Sequence, residues 1–112
     1  MRIMTFNCNG IRAAARKGFF EWLPEADVDV VCLQETKAQI DQLSDPVFHP
    51  EQYHCHYYDA IKKGYSGTAL FSRIKPKNIS RGLGFELADT EGRYIEADFG
   101  ELSIASLYMP SG

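Results

Sequence analysis

The run Val28-Asp29-Val30-Val31-Cys32-Leu33 limits the fold of this chain more than any other segment. It is β-branched and nearly all apolar, which suits a strand covered on both faces. An earlier strand-like run, Ile3 to Asn7, also reads as buried and ends in the turn-rich Asn7-Cys8-Asn9-Gly10. Between them, Ile11 to Leu23 carries the helix formers Ala13-Ala14-Ala15 and an apolar face of Phe19, Phe20, Trp22 and Leu23. Gly18 interrupts this helix, and Pro24 is expected to end it. Strand, helix, strand in that order makes two parallel strands through a right-handed crossover. Parallel strands end on the same edge, so Asn7 and Glu35 are expected side by side.

The carboxyl ends of sheet strands are where open α/β sheets bind ligands. An amide and a carboxylate placed there suit a hard cation such as Mg²⁺, which takes oxygen ligands and keeps several waters. The competing reading makes Asn7 a cap for the helix at Ile11 and Glu35 a surface loop carboxylate. Strand order alone favours the second. Tyr108 closes the last strand-like run, where a phenol can either donate to a phosphate oxygen or pack half-buried.

The rest of the chain fits the same class. Glu35 to Pro50 is polar and irregular, with room for one helical turn. Tyr53 to Asp59 reads as an aromatic-rich strand, and the turn Gly64-Tyr65-Ser66-Gly67 leads into a strand from Thr68 to Ser72. Lys77 to Ser80 is a weaker strand, and Gly82 to Glu91 reads as loop. Tyr94 to Phe99 alternates polar and apolar, so one of its faces is wet. Gly100-Glu101 turns the chain into Leu102 to Tyr108, which makes a hairpin. Pro110-Ser111-Gly112 is a turn signal.

At 112 residues there is room for one core but not for two domains. A hydrophobic share of 45% with 24% charged argues against disorder. The net charge of -3 argues against a general nucleic-acid coat, but it suits carboxylates gathered around a metal. Arg12, Arg16 and Lys17 cluster early; Lys62, Lys63, Arg73, Lys75, Lys77 and Arg81 crowd the middle, mostly as solvated faces. Cys8, Cys32 and Cys55 are too widely spaced for metal-ligand pairs, and Cys32 reads as a buried thiol. Free thiols, no signal peptide and no long apolar run lead to the expectation of a soluble, cytoplasmic protein without a membrane partner. His54 and His56 share a strand face, where a surface pair is favoured over a zinc site.

Several stretches then act together. Phe6-Asn7-Cys8-Asn9-Gly10-Ile11-Arg12-Ala13, Leu33-Gln34-Glu35-Thr36-Lys37 and Gly64-Tyr65-Ser66-Gly67-Thr68 resemble the exonuclease III family of abasic-site DNA endonucleases. Glu91-Gly92-Arg93-Tyr94-Ile95 and Leu107-Tyr108-Met109-Pro110-Ser111-Gly112 fit the same family, in order and at the family's distances. The resemblance implies that Glu35 is a ligand for Mg²⁺ or Mn²⁺. It implies that Asn7 supports the metal and the scissile phosphate, and that Tyr108 contacts that phosphate. Arg12, Ala13, Gly64, Tyr65 and Arg93 match positions that line the DNA backbone. Lys37 follows the glutamate, beside the DNA, and helps to set the local field. Asn9 stands where some members have aspartate. Each has a plainer alternative: Arg12 as a helix cation, the glycines as a hairpin turn, Arg93 as a partner of Glu91 or Asp98.

The resemblance also implies what lies outside these residues. The family's Asp-x-Asn and Asp-His pairs, which position the attacking water and the leaving group, do not occur here. Residues 1–112 are therefore expected to form the N-terminal half of an endonuclease/exonuclease/phosphatase domain. The fold expected is α/β, half of a four-layer α/β sandwich, mostly one mixed β-sheet with a flanking helix. Such a half leaves an apolar sheet face open, and self-association or pairing with the complementary half is expected. For the whole protein the resemblance implies an Mg²⁺-dependent repair nuclease. It would cut double-stranded DNA at abasic sites and remove nucleotides 3′ to 5′ in base excision repair. The alternatives are a phosphodiesterase of the same superfamily with another substrate, or a non-catalytic fragment.

Overall fold

A computed structural model of the chain describes residues 1–84 and 89–109. Strands are β1 (Ile3–Asn7), β2 (Val30–Gln34), β3 (His54–Tyr58), β4 (Thr68–Ser72), β5 (Asn78–Arg81), β6 (Tyr94–Asp98) and β7 (Ser103–Leu107). The helices are α1 (Ile11–Arg16) and α2 (Phe19–Ala26), and two short 3₁₀ turns occupy Ile40–Gln42 and Pro46–Phe48. Four strands form a mixed sheet in the order β1-β2-β4-β3, and three form an antiparallel sheet in the order β5-β6-β7. As the crossover rule requires, β1 and β2 are parallel neighbours, with Asn7 opposite Gln34.

Alternation along β2 and β4 explains why the sheets stack. Val31, Leu33, Ala69 and Phe71 face the helices, where Ile11, Phe19, Phe20 and Leu23 cover them. Val30, Cys32 and Leu70 face the other way and meet Ile95, Ala97 and Ile104 of the second sheet. Burying each such side chain contributes about 1.5–3 kcal/mol, the Ala and Cys positions less. The result is a helix layer, a mixed sheet and a second sheet. The β6–β7 hairpin closes through the Phe99 N–H to the Leu102 carbonyl at 2.8 Å.

Two local expectations are corrected. β1 is largely exposed rather than buried, with Ile3 52% exposed. Among the described residues it pairs only with β2, and the second sheet packs mainly on β2, β4 and β3. Pro24 does not end the helix. Gly18, at φ 95, splits it, and α2 then runs to Ala26 and stops at Asp27 in the left-handed region. In a helix this short, Pro24 forfeits only a bond near the end. The loop expected for Gly82 to Glu91 falls partly outside the described residues, and Asp89 and Thr90 are helical. The turn at 110–112 also lies outside them. Among the described residues, no helix is long and apolar enough to cross a membrane.

Candidate active site

Beyond the ends of β1 and β2 the backbone ladder continues without strand geometry. The Gly10 N–H donates to the Glu35 carbonyl at 2.7 Å, and the Ile11 N–H to the Thr36 carbonyl at 2.9 Å. From the other side, the Thr36 N–H reaches the Gly67 carbonyl at 3.3 Å, and the Lys37 N–H reaches the Ser66 carbonyl at 2.8 Å. Residues 35–37 are thus held between the turn after β1 and the turn before β4. Within that clamp, Glu35 (φ 55) and Lys37 (φ 52) both adopt the left-handed conformation.

This geometry brings Asn7 and Glu35 together. The Asn7 Nδ2 donates to Glu35 Oε2, and Asn7 Oδ1 accepts from the Asn9 N–H at 3.1 Å. Asn7 is not the helix cap: α1 is preceded by Gly10, with no side-chain cap. Lys37 Nζ lies 3.5 Å from Glu35 Oε1 and donates to Asn9 Oδ1 at 2.6 Å. An ammonium therefore sits where Glu35 and Asn9 present oxygens.

Tyr108 follows β7, and its N–H donates to the Arg93 carbonyl at 2.9 Å. Its phenol is held above its ordinary pKa by partial desolvation and then by the Glu35 carboxylate and Tyr65. The phenol therefore remains an O–H donor at neutral pH. The two sheets are tied beneath this site. Ser106 Oγ donates to the Leu33 carbonyl at 2.9 Å, and Gln34 Nε2 donates to Ser106 Oγ at 3.2 Å.

A groove of about 370 Å³ beside the site is lined by Gly10, Arg12, Ala13, Arg16, Lys37 and Gly64. It gathers Arg12 and Ala13 with Lys37 and Gly64, three segments far apart in sequence. Arg12 Nη2 donates to the Lys37 carbonyl at 3.3 Å, and among the described residues its other guanidinium N–H groups meet no hydrogen-bond acceptor. Tyr65 is exposed nearby, with Lys62 Nζ 5.3 Å from its ring centroid. Arg93 is not in the groove wall; its guanidinium pairs with Glu91. Arg16 was missed among the candidates, although its spacing of four from Arg12 on one helix face was the available signal.

The donors present fit a hard cation in part. Glu35 offers a carboxylate, and its contact with the Lys37 ammonium marks the position as one that accepts positive charge. No group of three His, Cys, Asp or Glu side chains is placed to hold a metal among the described residues. Glu35 would be the protein ligand from this chain. Asn7 orients Glu35 through Nδ2, while its oxygen is engaged by Asn9.

The chain is thus a two-sheet α/β fold that places a carboxylate and an amide at adjacent strand ends and a phenol after the end of β7. The chain belongs to the Endonuclease/Exonuclease/phosphatase family, whose sequence profile matches residues 4–109. It is 43% identical over 112 residues to an exodeoxyribonuclease of Bacillus subtilis (strain 168), covering 99% of this chain and 43% of that protein. It is 36% identical to the DNA repair nuclease APEX1 of Danio rerio, covering 99% of this chain and 36% of that protein. An AP endonuclease from Archaeoglobus fulgidus superposes with a TM-score of 0.84 at 33% identity, covering 98% of this chain and 41% of that one. The chain thus spans less than half the length of these relatives.

Proposed function

We propose that these residues form part of the active site of a divalent-metal-dependent DNA repair nuclease, an abasic-site endonuclease with 3′-to-5′ exonuclease activity. The hydrogen-bonded Asn7–Glu35 pair, flanked by the cationic groove, carries this reading. Glu35 would hold Mg²⁺ or Mn²⁺, with Asn7 fixing the carboxylate's direction. A cation bound there supplies positive charge against the negative charge that develops on the phosphate oxygens. The Tyr108 hydroxyl donates to a non-bridging oxygen. Arg12, Arg16 and Lys37 contact backbone phosphates, with Ala13, Gly64 and Tyr65 along the same path. Such contacts position a duplex without reading its sequence.

The residues that activate water and release the leaving group belong, on this reading, to the portion of the relatives that this chain does not span. The 112-residue chain alone is then expected to show no turnover, even in excess Mg²⁺. Joined to the remaining portion of the Bacillus subtilis relative, it is expected to incise duplex DNA at an abasic site. Glu35→Ala in that chimera should lower incision at least about a hundredfold, the scale of losing one preorganised electrostatic group. Undiminished incision by the variant, or turnover by the chain alone, overturns the assignment.

A further inference from the structure

Left-handed backbone at a non-glycine residue costs on the order of 1–3 kcal/mol and persists only where the surroundings impose it. Glu35 and Lys37 both adopt it, on either side of the buried Thr36. On one side Gly10 and Ile11 supply the holding bonds, and on the other Ser66 and Gly67 supply them. The second side depends on a close approach. A Cβ on Gly67 would lie 2.2 Å from Thr36 Oγ1, whereas one on Gly64 in the same turn would meet nothing within 4 Å. The two glycines therefore differ in kind: Gly64 opens outward onto the groove, and Gly67 presses inward against the segment that carries Glu35.

We propose that Gly67 is a positioning residue for Glu35: its bare backbone admits Thr36, and the carbonyls of Ser66 and Gly67 then set the left-handed turn that aims the carboxylate at Asn7. This rests on the reading of Glu35 as the metal-binding carboxylate. It adds that the turn before β4 serves the metal site through Gly67 as well as the DNA path through Gly64 and Tyr65. A methyl group at Gly67 pushes Thr36 aside, weakens the bonds to the Thr36 and Lys37 N–H groups and swings Glu35 away from Asn7. The steric obstacle is one oxygen, so its removal restores the space, while the strain of a Cβ at φ 94 stays the same in the single and the double variant. Thr36 Cβ itself would stand 3.6 Å from the new methyl, an ordinary contact.

The test uses the ¹⁵N-labelled chain and the side-chain amide resonances of Asn7, which report the bond to Glu35 directly. Gly67→Ala is expected to move those resonances toward the position of a free amide while the β2 and β4 amides stay dispersed. The double variant Thr36→Ala/Gly67→Ala is expected to return them toward wild type. Gly84→Ala is the control, because Gly84 shares a positive φ of 89 but its Cβ would meet nothing within 4 Å. Unmoved Asn7 resonances in Gly67→Ala overturn the proposal, as does a double variant no closer to wild type than the single. If Gly67→Ala alone loses the folded spectrum, the double variant decides: recovery of the fold with the Asn7 signal supports the proposal, and no recovery overturns it. Titration with Mn²⁺ separates the underlying reading. Broadening at Asn7 in wild type, with a midpoint at least tenfold higher in Gly67→Ala, supports both. No broadening in wild type removes the metal reading, while the Asn7 shifts still decide whether Gly67 positions Glu35.

Discussion

Cys8 shows how one residue serves the site without chemistry of its own. Its thiol lies against the carbonyls of Gln34 at 3.3 Å and Glu35 at 3.4 Å, at the base of the turn between them. Burial pushes it up to about 11 from 9.0, pushes Cys32 likewise to about 11, and pushes Cys55 to about 12. The folded chain keeps these thiols protonated, whereas the unfolded chain releases the protons from near pH 9. Their contribution to stability is therefore intact below pH 9 and is lost as pH rises through 11 to 12. At pH 8 the folded thiolate fraction is lower by roughly a hundredfold at Cys8 and Cys32 and roughly a thousandfold at Cys55, so alkylation of the native chain should lag the denatured chain by about those factors. Timed iodoacetamide labelling with mass readout checks this; equal rates in both states would mean that the thiols are not buried. The buried character of Cys32 was legible from its apolar run. That of Cys8 was not, because its cover comes from α1 and from a β2 end distant in sequence.

Among the elements, α1 turns a charge cluster into a groove wall. Arg12 and Arg16 are one helical turn apart, and Lys37 and Gly64 complete the wall from two other segments. Parallel pairing of β1 with β2 is what brings Lys37 to α1, and this part was legible: strand, helix and apolar strand leave one common topology. The exposure of β1 was not legible, because Ile3, Met4 and Phe6 read as core until the reach of the second sheet is known. Strand order put Asn7 and Glu35 on one edge but by itself favoured a helix cap and a surface carboxylate; the stretches in register were needed to pair them. The cause of the pairing, two left-handed residues clamped by distant turns, leaves no periodic trace. Arg93 is the informative contrast within the candidate site. The resemblance placed it along the DNA backbone, and the plainer alternative also offered, pairing with Glu91, is the contact its guanidinium makes. Weak duplex binding by the chain, followed by fluorescence anisotropy against salt, should lose about one unit of log–log slope for Arg12→Ala and again for Arg16→Ala. Arg93→Ala should leave the slope unchanged. A slope insensitive to either α1 arginine would remove the groove from the DNA path.

At the scale of the molecule, each sheet has edge strands that could take a further strand. β1 is one edge of the mixed sheet, and β7, which packs over β2 and β4, is one edge of the second; among the described residues neither pairs with a further strand. Beside β1 runs an apolar groove of about 560 Å³ lined by Met4, Phe6, Ala13, Ala14, Phe19 and Trp22, among others. Ile3 is 52% exposed, Trp22 47% and Leu107 46%, so the open side is apolar as well as unpaired. An edge with free backbone groups and apolar side chains is a template for another strand. The relatives are more than twice as long, and their further chain is one candidate for the cover. In the 112-residue chain alone, a second copy meets the same demand, since two such edges are complementary under a twofold axis. The chain should therefore sediment as a concentration-dependent dimer or larger species. Ile3→Lys places a charge on the edge, away from the Asn7–Glu35 pair, and should raise the dissociation constant at least tenfold, about 1.4 kcal/mol. Adding the complementary portion of the Bacillus subtilis relative should convert the self-associated chain into a one-to-one complex. A monomer at every concentration, with Ile3→Lys indistinguishable from wild type, would show that the paired edges are closed by something within these 112 residues.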